Sequence, residues 1–336
     1  MKLAELTNKI IHENYLISED QALELVKEPL EALRRSAKAI TSAFFKDKVE
    51  LCCISNSKGG GCSEDCKFCS QSRHFQTEAR RTPLKNSEEH FKEALYNSER
   101  GVHRFSVVTA GIRLAPKEIR EIGEAYKKIS SKLEIKCCGS LGLLSYEDLV
   151  YLKSCGLTRF HNNLETSRRF FPQICTTHSY DDKLNTLKNA RRAGLELCSG
   201  CIIGMGETYA DRIDLALDLR ELGVVSTPIN ILNPLKGTPL EHREVPGEEE
   251  IERSIAIFRH ILPHTVLRTA GGRLLIKDFY IKLFDFGINA EITGDMLTTK
   301  GLDIQSDKRD LEACGRSAQI IPAKVIPARP AEETAS

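Results

Sequence analysis

Eight short β-branched or Cys-rich runs alternate with amphipathic stretches through most of the chain, and this alternation is what most constrains its fold. The runs are Val49 to Ser55, His103 to Thr109, Leu133 to Gly139, Thr158 to Asn163, Leu195 to Ile203, Thr227 to Leu232, Thr265 to Thr269 and Asn289 to Thr293. Each is bounded by Gly, Asn, Ser or Pro, as strands are. Helical patterns fill most gaps, over Ser87 to Arg100, Pro116 to Ser130, Tyr180 to Ala193, Ala210 to Leu222 and Glu248 to Ile261. Eight strand–helix units over about 250 residues predict an α/β fold of the TIM-type (β/α)8 barrel class. A doubly wound sheet competes, because periodicity does not reveal closure. Residues 1–48 read as an N-terminal helical extension, 49–315 as the barrel, and 316–336, rich in Pro and Ala, as a flexible tail.

Charge and hydropathy exclude two classes of partner. Lys and Arg number 48 against 47 Asp and Glu, with no basic stripe carrying interleaved aromatics, so nucleic acid is not expected as a partner. No apolar run approaches the roughly 20 residues that span a bilayer, and MKLAELTNKI lacks the apolar centre of a secretion signal. No membrane partner and a cytoplasmic location are expected. In that reducing compartment the 12 cysteines call for roles other than disulfides: buried hydrophobes, redox thiols or metal ligands.

One cysteine group decides among these. Gly59-Gly60-Gly61-Cys62-Ser63-Glu64-Asp65-Cys66-Lys67-Phe68-Cys69 follows the first predicted strand with the spacing C-x3-C-x2-C. Three thiolates on a Gly-led loop can turn to one centre, and soft sulfur favours zinc or an iron–sulfur cluster. No HExxH and no second C-x2-C pair completes a zinc site. Three protein ligands on a four-iron cube leave one iron open. This loop resembles that of the radical S-adenosylmethionine (SAM) enzymes. The resemblance implies that Cys62, Cys66 and Cys69 hold a 4Fe–4S cluster whose open iron binds SAM, that reduction of SAM yields a 5′-deoxyadenosyl radical, and that Phe68 lies against the adenine.

Further segments narrow the resemblance. Gly200 to Glu207 reads GxIxGxxE, and CSEDCKFCSQS, HNNLETS, TTHSY, CSGCIIGMGET, PINILNPLKGTPL, LRTAGGR and GDMLTTKG follow the order of the biotin synthase family over Val49 to Gly301. The resemblance implies sulfur insertion between C6 and C9 of dethiobiotin, with sulfide from a second, auxiliary iron–sulfur cluster. In that family the auxiliary ligands are cysteines of the second, third and fifth strands and an arginine of the seventh. Cys138, Cys198 and Arg268 match the last three and are expected to form the catalytic, sulfide-donating centre. The second-strand match is Ser106, a poor iron ligand. Interior layers of a barrel come from alternate strands, so Cys52 on the first strand shares a layer with Cys138, Cys198 and Arg268 and is expected to replace the missing ligand. More thiolates favour a four-iron auxiliary cluster over 2Fe–2S. Alternation turns Cys53 and Cys137 outward, whereas a bulge at Ser199-Gly200 would make Cys201 a further ligand. Cys155, Cys175 and Cys314, beside helix ends, are expected to be inert.

The remaining contacts follow from the same resemblance. Glu165 is expected on the SAM ribose, Ile202 and Asn233 elsewhere on SAM, and His178 near its methionyl carboxylate. Asn163 and Asn230 are expected to hold the ureido ring of dethiobiotin, with His161 where the family has another asparagine. Ser226 is expected to hydrogen-bond Arg268. The H-x3-H pair His260 and His264 reads as surface residues and Glu248 to Glu250 as a solvated helix start. Flavodoxin or ferredoxin as electron donor and a homodimer complete the implied partners. The competing functions are a single-cluster mutase or maturase on the same barrel, which needs no interior thiols, and a ferredoxin-type carrier, which needs no SAM.

Overall fold

The computed structural model describes residues 1–294 and 303–324. Most of the GDMLTTKG segment and residues 325–336 of the expected tail lie outside the described residues. Three helices come first: α1 (Leu3–Glu13), α2 (Glu19–Leu25) and α3 (Leu30–Phe45). Strands and helices then alternate: β1 (Lys48–Lys58), α4 (Ser87–Glu99), β2 (Arg104–Thr109), α5 (Pro116–Lys132), β3 (Lys136–Ser140), α6 (Tyr146–Ser154), β4 (Leu157–His161) and α7 (Tyr180–Arg192). After these come β5 (Glu196–Cys198), β6 (Cys201–Ile203), α8 (Tyr209–Glu221), β7 (Ser226–Ile231), α9 (Glu248–Ile261), β8 (Val266–Thr269), α10 (Leu283–Phe286), β9 (Ala290–Ile292), α11 (Ile304–Ala313) and β10 (Ser317–Ala318).

The sheet is parallel and closed. Neighbouring strands pair around the ring, with β5 and β6 both against β7, and β9 returns to β1 through Glu50↔Ala290 and Cys52↔Ile292. Closure excludes the doubly wound alternative. Two expectations shift in detail: the third strand starts at Lys136 rather than Leu133, and the fifth breaks into β5 and β6. The break keeps register, since Cys198 opposes Ser226 and Cys201 opposes Ile229, an equal offset. Gly200 is required at the break, because a Cβ there would lie 1.9 Å from the Pro228 carbonyl oxygen.

Alternation along the strands sorts side chains into two sets. Phe105, Val107, Cys137, Phe160, Leu197 and Ile229 face the helices and form the main apolar core. Their immediate neighbours along each strand, such as Ser106, Cys138, His161 and Cys198, face the barrel interior. The N-terminal helices pack onto the outside, α3 beside α9 with α1 resting on α3, and α2 beside α8.

The H-x3-H pair, expected on the surface, is what ties this extension down. His260 and His264 are 0% and 6% exposed. His260 Nδ1 donates to the Ala256 carbonyl at 2.7 Å, and its Nε2 lies 2.6 Å from the Ser36 hydroxyl, which in turn meets Thr7 of α1 at 2.6 Å. His264 Nε2 lies 3.2 Å from Asn14 Oδ1. Helical period placed these rings on the buried face of α9 and its end, which motif spacing alone does not reveal. The expected loose tail is likewise anchored as far as it is described. Ser317 and Ala318 pair with Lys48 and Val49, and Ile321 is buried against the Phe45, Val266 and Ala290 cluster.

Burial lowers both histidines to about 4. Their folded pKa lies below the unfolded value near 6.5, so they contribute stability that is present above that value and lost as pH falls toward 4. Denaturant midpoints of the full chain should therefore fall over that window, and His260→Gln should flatten the slope, by on the order of 3 kcal/mol at most. An unchanged slope in the variant would contradict the assignment.

Candidate active site

The interior of the barrel builds the site in layers. Its floor is a buried charge network that the sequence reading did not find. Glu50, fully buried on β1, meets Arg268 at 2.6 Å, Arg159 at 3.0 Å and Arg104 at 3.0 Å. Glu196, partly exposed, also pairs with Arg159 at 2.8 Å and Arg104 at 3.3 Å. The described tail reaches the same carboxylate, with the Ile321 amide 3.4 Å from Glu50 Oε2. Burial alone would raise the Glu50 carboxyl, but the charges of Arg159, Arg104 and Arg268 bring it down to about 2. Three guanidiniums against two carboxylates leave this floor with excess positive charge. Period two carried the signal: Glu50, Arg104 and Arg159 each precede an interior position by two residues.

Two residues further along the strands, a cavity of about 360 Å³ opens. Cys52, Cys138 and Cys198 line it with Arg268, the four residues assigned to one layer. The thiols are 4% to 6% exposed. Burial pushes Cys52 up to about 12, with Cys138, Glu50 and Cys198 adding to it and Arg268 opposing it. Cys138 is raised chiefly by burial as well. Arg268 Nη1 donates to Ser226 Oγ at 2.9 Å, as expected. Ser106 lines the same cavity.

Cys201 does not join this set. Because register continues across Gly200, it sits an odd number of residues from Cys198 and faces the helix side, within the apolar core. Cys53 and Cys137 lie in that core too.

The upper wall carries Phe68, His161, Asn163, Glu165, Ile202, Asn230 and Asn233. Asn163 Oδ1 and Glu165 Oε2 are buried acceptors with no protein partner. Such orphans call for a polar ligand. Glu165 adopts φ +72° while its amide and carbonyl bridge to Gly200 and Ile202, which aims its carboxylate from a constrained turn. Burial raises its pKa. Asn230 is already engaged, donating to the Cys201 carbonyl at 2.9 Å and accepting from the Gly271 amide at 2.8 Å. His161 Nδ1 lies 3.3 Å from Cys198 Sγ, and burial lowers the ring to about 4.

The cysteine triplet sits on the loop leaving β1. The loop is closed by Cys62 N to Gln71 O and Arg73 N to Cys62 O, both 2.8 Å, and by Cys69 N to Cys66 O at 2.9 Å. It is also docked, residue by residue, on the segment before α7. Glu64 Oε2 meets His178 Nδ1 at 2.8 Å, and Asp65 accepts from the Thr176 amide at 2.8 Å and hydroxyl at 2.5 Å. Cys66 Sγ lies 3.7 Å from Cys175 Sγ, and Lys67 N donates to Ile174 O at 2.9 Å. Cys175, expected to be inert and remote, is therefore beside the triplet. The β4–α7 connection folds back over the barrel mouth, which helix-end position in the sequence does not show.

Comparison with known proteins agrees with this geometry. Residues 56–219 match the Radical SAM superfamily and residues 228–317 the Biotin and Thiamin Synthesis associated domain. The chain is 48% identical over 300 residues to the biotin synthase of Clostridium botulinum strain Hall, covering 89% of this chain and 94% of the relative. It is 45% identical over 320 residues to that of Brachyspira hyodysenteriae, covering 95% and 96%. The chain belongs to the biotin synthase family. It is a radical SAM enzyme, and this membership implies SAM and its 4Fe–4S cluster as cofactors. Among solved structures, methylornithine synthase superposes with TM-score 0.80 at 19% identity over 94% of this chain and 97% of that one. The FeFe-hydrogenase maturase of Carboxydothermus hydrogenoformans does so with TM-score 0.78 at 15% identity over 94% and 78%. These two likenesses concern the barrel alone. Among the described residues no helix is long and apolar enough to cross a membrane.

The floor makes a direct prediction. Glu50→Gln leaves three buried guanidiniums without their central counter-charge, and breaking a buried ion pair from one side costs about 3–5 kcal/mol. The urea midpoint of the cluster-free chain should drop accordingly. A midpoint within error of wild type would show that the network carries no such weight.

Proposed function

We propose that this family member acts as a biotin synthase, inserting sulfur between C6 and C9 of dethiobiotin with SAM as the radical source. The observation that carries the reading is the layer of Cys52, Cys138 and Cys198 lying between the guanidinium floor and the orphaned acceptors of Asn163 and Glu165. A mutase on the same barrel has no use for three interior thiols. Sulfur is supplied by an auxiliary iron–sulfur cluster that is consumed as a substrate, held by Cys52, Cys138, Cys198 and Arg268. The donor chemistry fits: thiolates and sulfide bring negative charge, which the positive floor offsets in a low-dielectric interior. We favour four irons over two here, because Cys52 stands in for the ligand that Ser106 does not provide.

Cys62, Cys66 and Cys69 hold the other, SAM-binding 4Fe–4S cluster. When bound, that cluster supplies the electron that cleaves SAM to the 5′-deoxyadenosyl radical. Phe68, Ile202 and Asn233 pack around the nucleoside, and Glu165 Oε2 accepts from a ribose hydroxyl. His178, oriented by Glu64, faces the methionyl carboxylate. Asn163 Oδ1 accepts a ureido N–H of dethiobiotin, and Asn230 has one amide hydrogen left for the ureido carbonyl. His161, held against Cys198, is a neighbour of the sulfur donor more than of the ureido ring. Flavodoxin or ferredoxin as donor and a homodimer accompany this reading by family resemblance.

The test is one anaerobic turnover with dethiobiotin, SAM and reductant after loading the chain with ³⁴S-sulfide. The biotin formed should carry ³⁴S. Cys52→Ala should still release 5′-deoxyadenosine while biotin falls at least about a hundredfold, the scale of losing an essential donor. Unlabelled biotin, or full activity in Cys52→Ala, would contradict the assignment of the sulfur source.

A further inference from the structure

Three observations meet at Cys175. Its Sγ lies 3.7 Å from Cys66 Sγ. A backbone bond of 2.9 Å from Lys67 N to Ile174 O joins the peptide units that carry the two cysteines. The Cys175 side chain is buried at 3% exposure, so the contact is sheltered from solvent.

We propose that Cys175 is a positioning residue for the SAM-binding cluster: its S–H donates to the Cys66 sulfur and raises the reduction potential of the cluster that Cys66 ligates. The proposal rests on the reading of Cys62, Cys66 and Cys69 as the cluster ligands. A ligating Cys66 is a thiolate and only accepts, so the proton in the contact belongs to its partner. Rival acceptors around Cys175 are supplied by other donors or lie farther off: the Thr177 hydroxyl, 3.6 Å away, accepts from the Asp65 amide at 3.1 Å, and His178 Nε2 lies at 3.9 Å. Asp65 Oδ1, 3.3 Å from the Cys175 sulfur, takes the amides of Thr176 at 2.8 Å and Thr177 at 3.2 Å and the Thr177 hydroxyl at 3.1 Å. His178 Nδ1, also 3.3 Å from Cys175, points its hydrogen at Glu64 Oε2, 2.8 Å away. Hydrogen bonds to ligand sulfur withdraw negative charge, and the reduced cluster, one charge more negative, gains more from this than the oxidised one. The same sheltered position strengthens the effect.

The experiment is EPR-monitored potentiometry of the reconstituted full chain, without substrate, in wild type, Cys175→Ala, Cys175→Val and Cys175→Ser. At a fixed poise, the Ala and Val variants should hold a reduced-to-oxidised ratio about tenfold lower than wild type, about 59 mV for a one-electron couple. Cys175→Ser, which keeps a donor, should recover most of the shift, at equal iron content throughout. Val fills the space of the thiol, so it carries the same expectation where the Ala cavity impairs loading. Potentials of Ala and Val that coincide with wild type overturn the proposal, as does a Ser variant that matches Ala. Failure of the underlying ligand reading looks different: Cys66→Ala would then retain the wild-type reduced-cluster signal.

Discussion

Everything in the interior of this barrel is arranged around the buried Glu50 carboxylate and the three guanidiniums of Arg104, Arg159 and Arg268. Four charged groups inside a closed sheet are expensive to desolvate, and only close mutual pairing makes them tolerable. The distances of 2.6 to 3.0 Å meet that condition. The network draws on β1, β2, β4 and β8, so it fixes the relative registers of strands far apart in sequence. It also aims Arg268 at the thiol layer, with Ser226 holding the other side of its guanidinium. A floor with excess positive charge suits thiolates and sulfide, and would suit a neutral apolar substrate poorly.

A second constraint acts at the barrel mouth. The triplet loop is glycine-led, and flexible loops cost entropy to order. Its docking on residues 174–178 offsets that cost with contacts spread over four consecutive positions, Glu64 to Lys67. One segment thus orders the cysteine loop and supplies His178 to the same region. The chemistry at the mouth and the chemistry of the floor are held by separate devices on one scaffold, the usual division in barrels whose functional groups cluster at the carboxyl ends of strands.

Much of this was legible from residue order. Strand–helix alternation gave the barrel, and the C-x3-C-x2-C loop after the first strand marked the proposed site of the SAM-binding cluster. Layer arithmetic brought Cys52, Cys138, Cys198 and Arg268 to one cavity, because alternation along a strand survives folding unchanged. That regularity also carried signals left unread: Glu50 lies two before Cys52, Arg104 two before Ser106 and Arg159 two before His161. Cys201 failed as a candidate ligand because the break at Gly200 changes pairing without changing register. Cys175, His260 and His264 were misjudged for another reason. Their surroundings come from segments more than a hundred residues away in sequence, such as Asp65 for Cys175 and Ser36 for His260, and no local pattern encodes those contacts.

On this reading a second iron–sulfur site, distinct from the triplet, sits on the guanidinium floor. Mössbauer spectroscopy with iron and acid-labile sulfide analysis on the anaerobically reconstituted Cys62→Ala, Cys66→Ala, Cys69→Ala triple variant tests it most directly. A cluster should survive the loss of the triplet, with about four irons per chain where wild type holds about eight. A triple variant without iron would contradict it, leaving the interior thiols as packing and the enzyme with a single cluster.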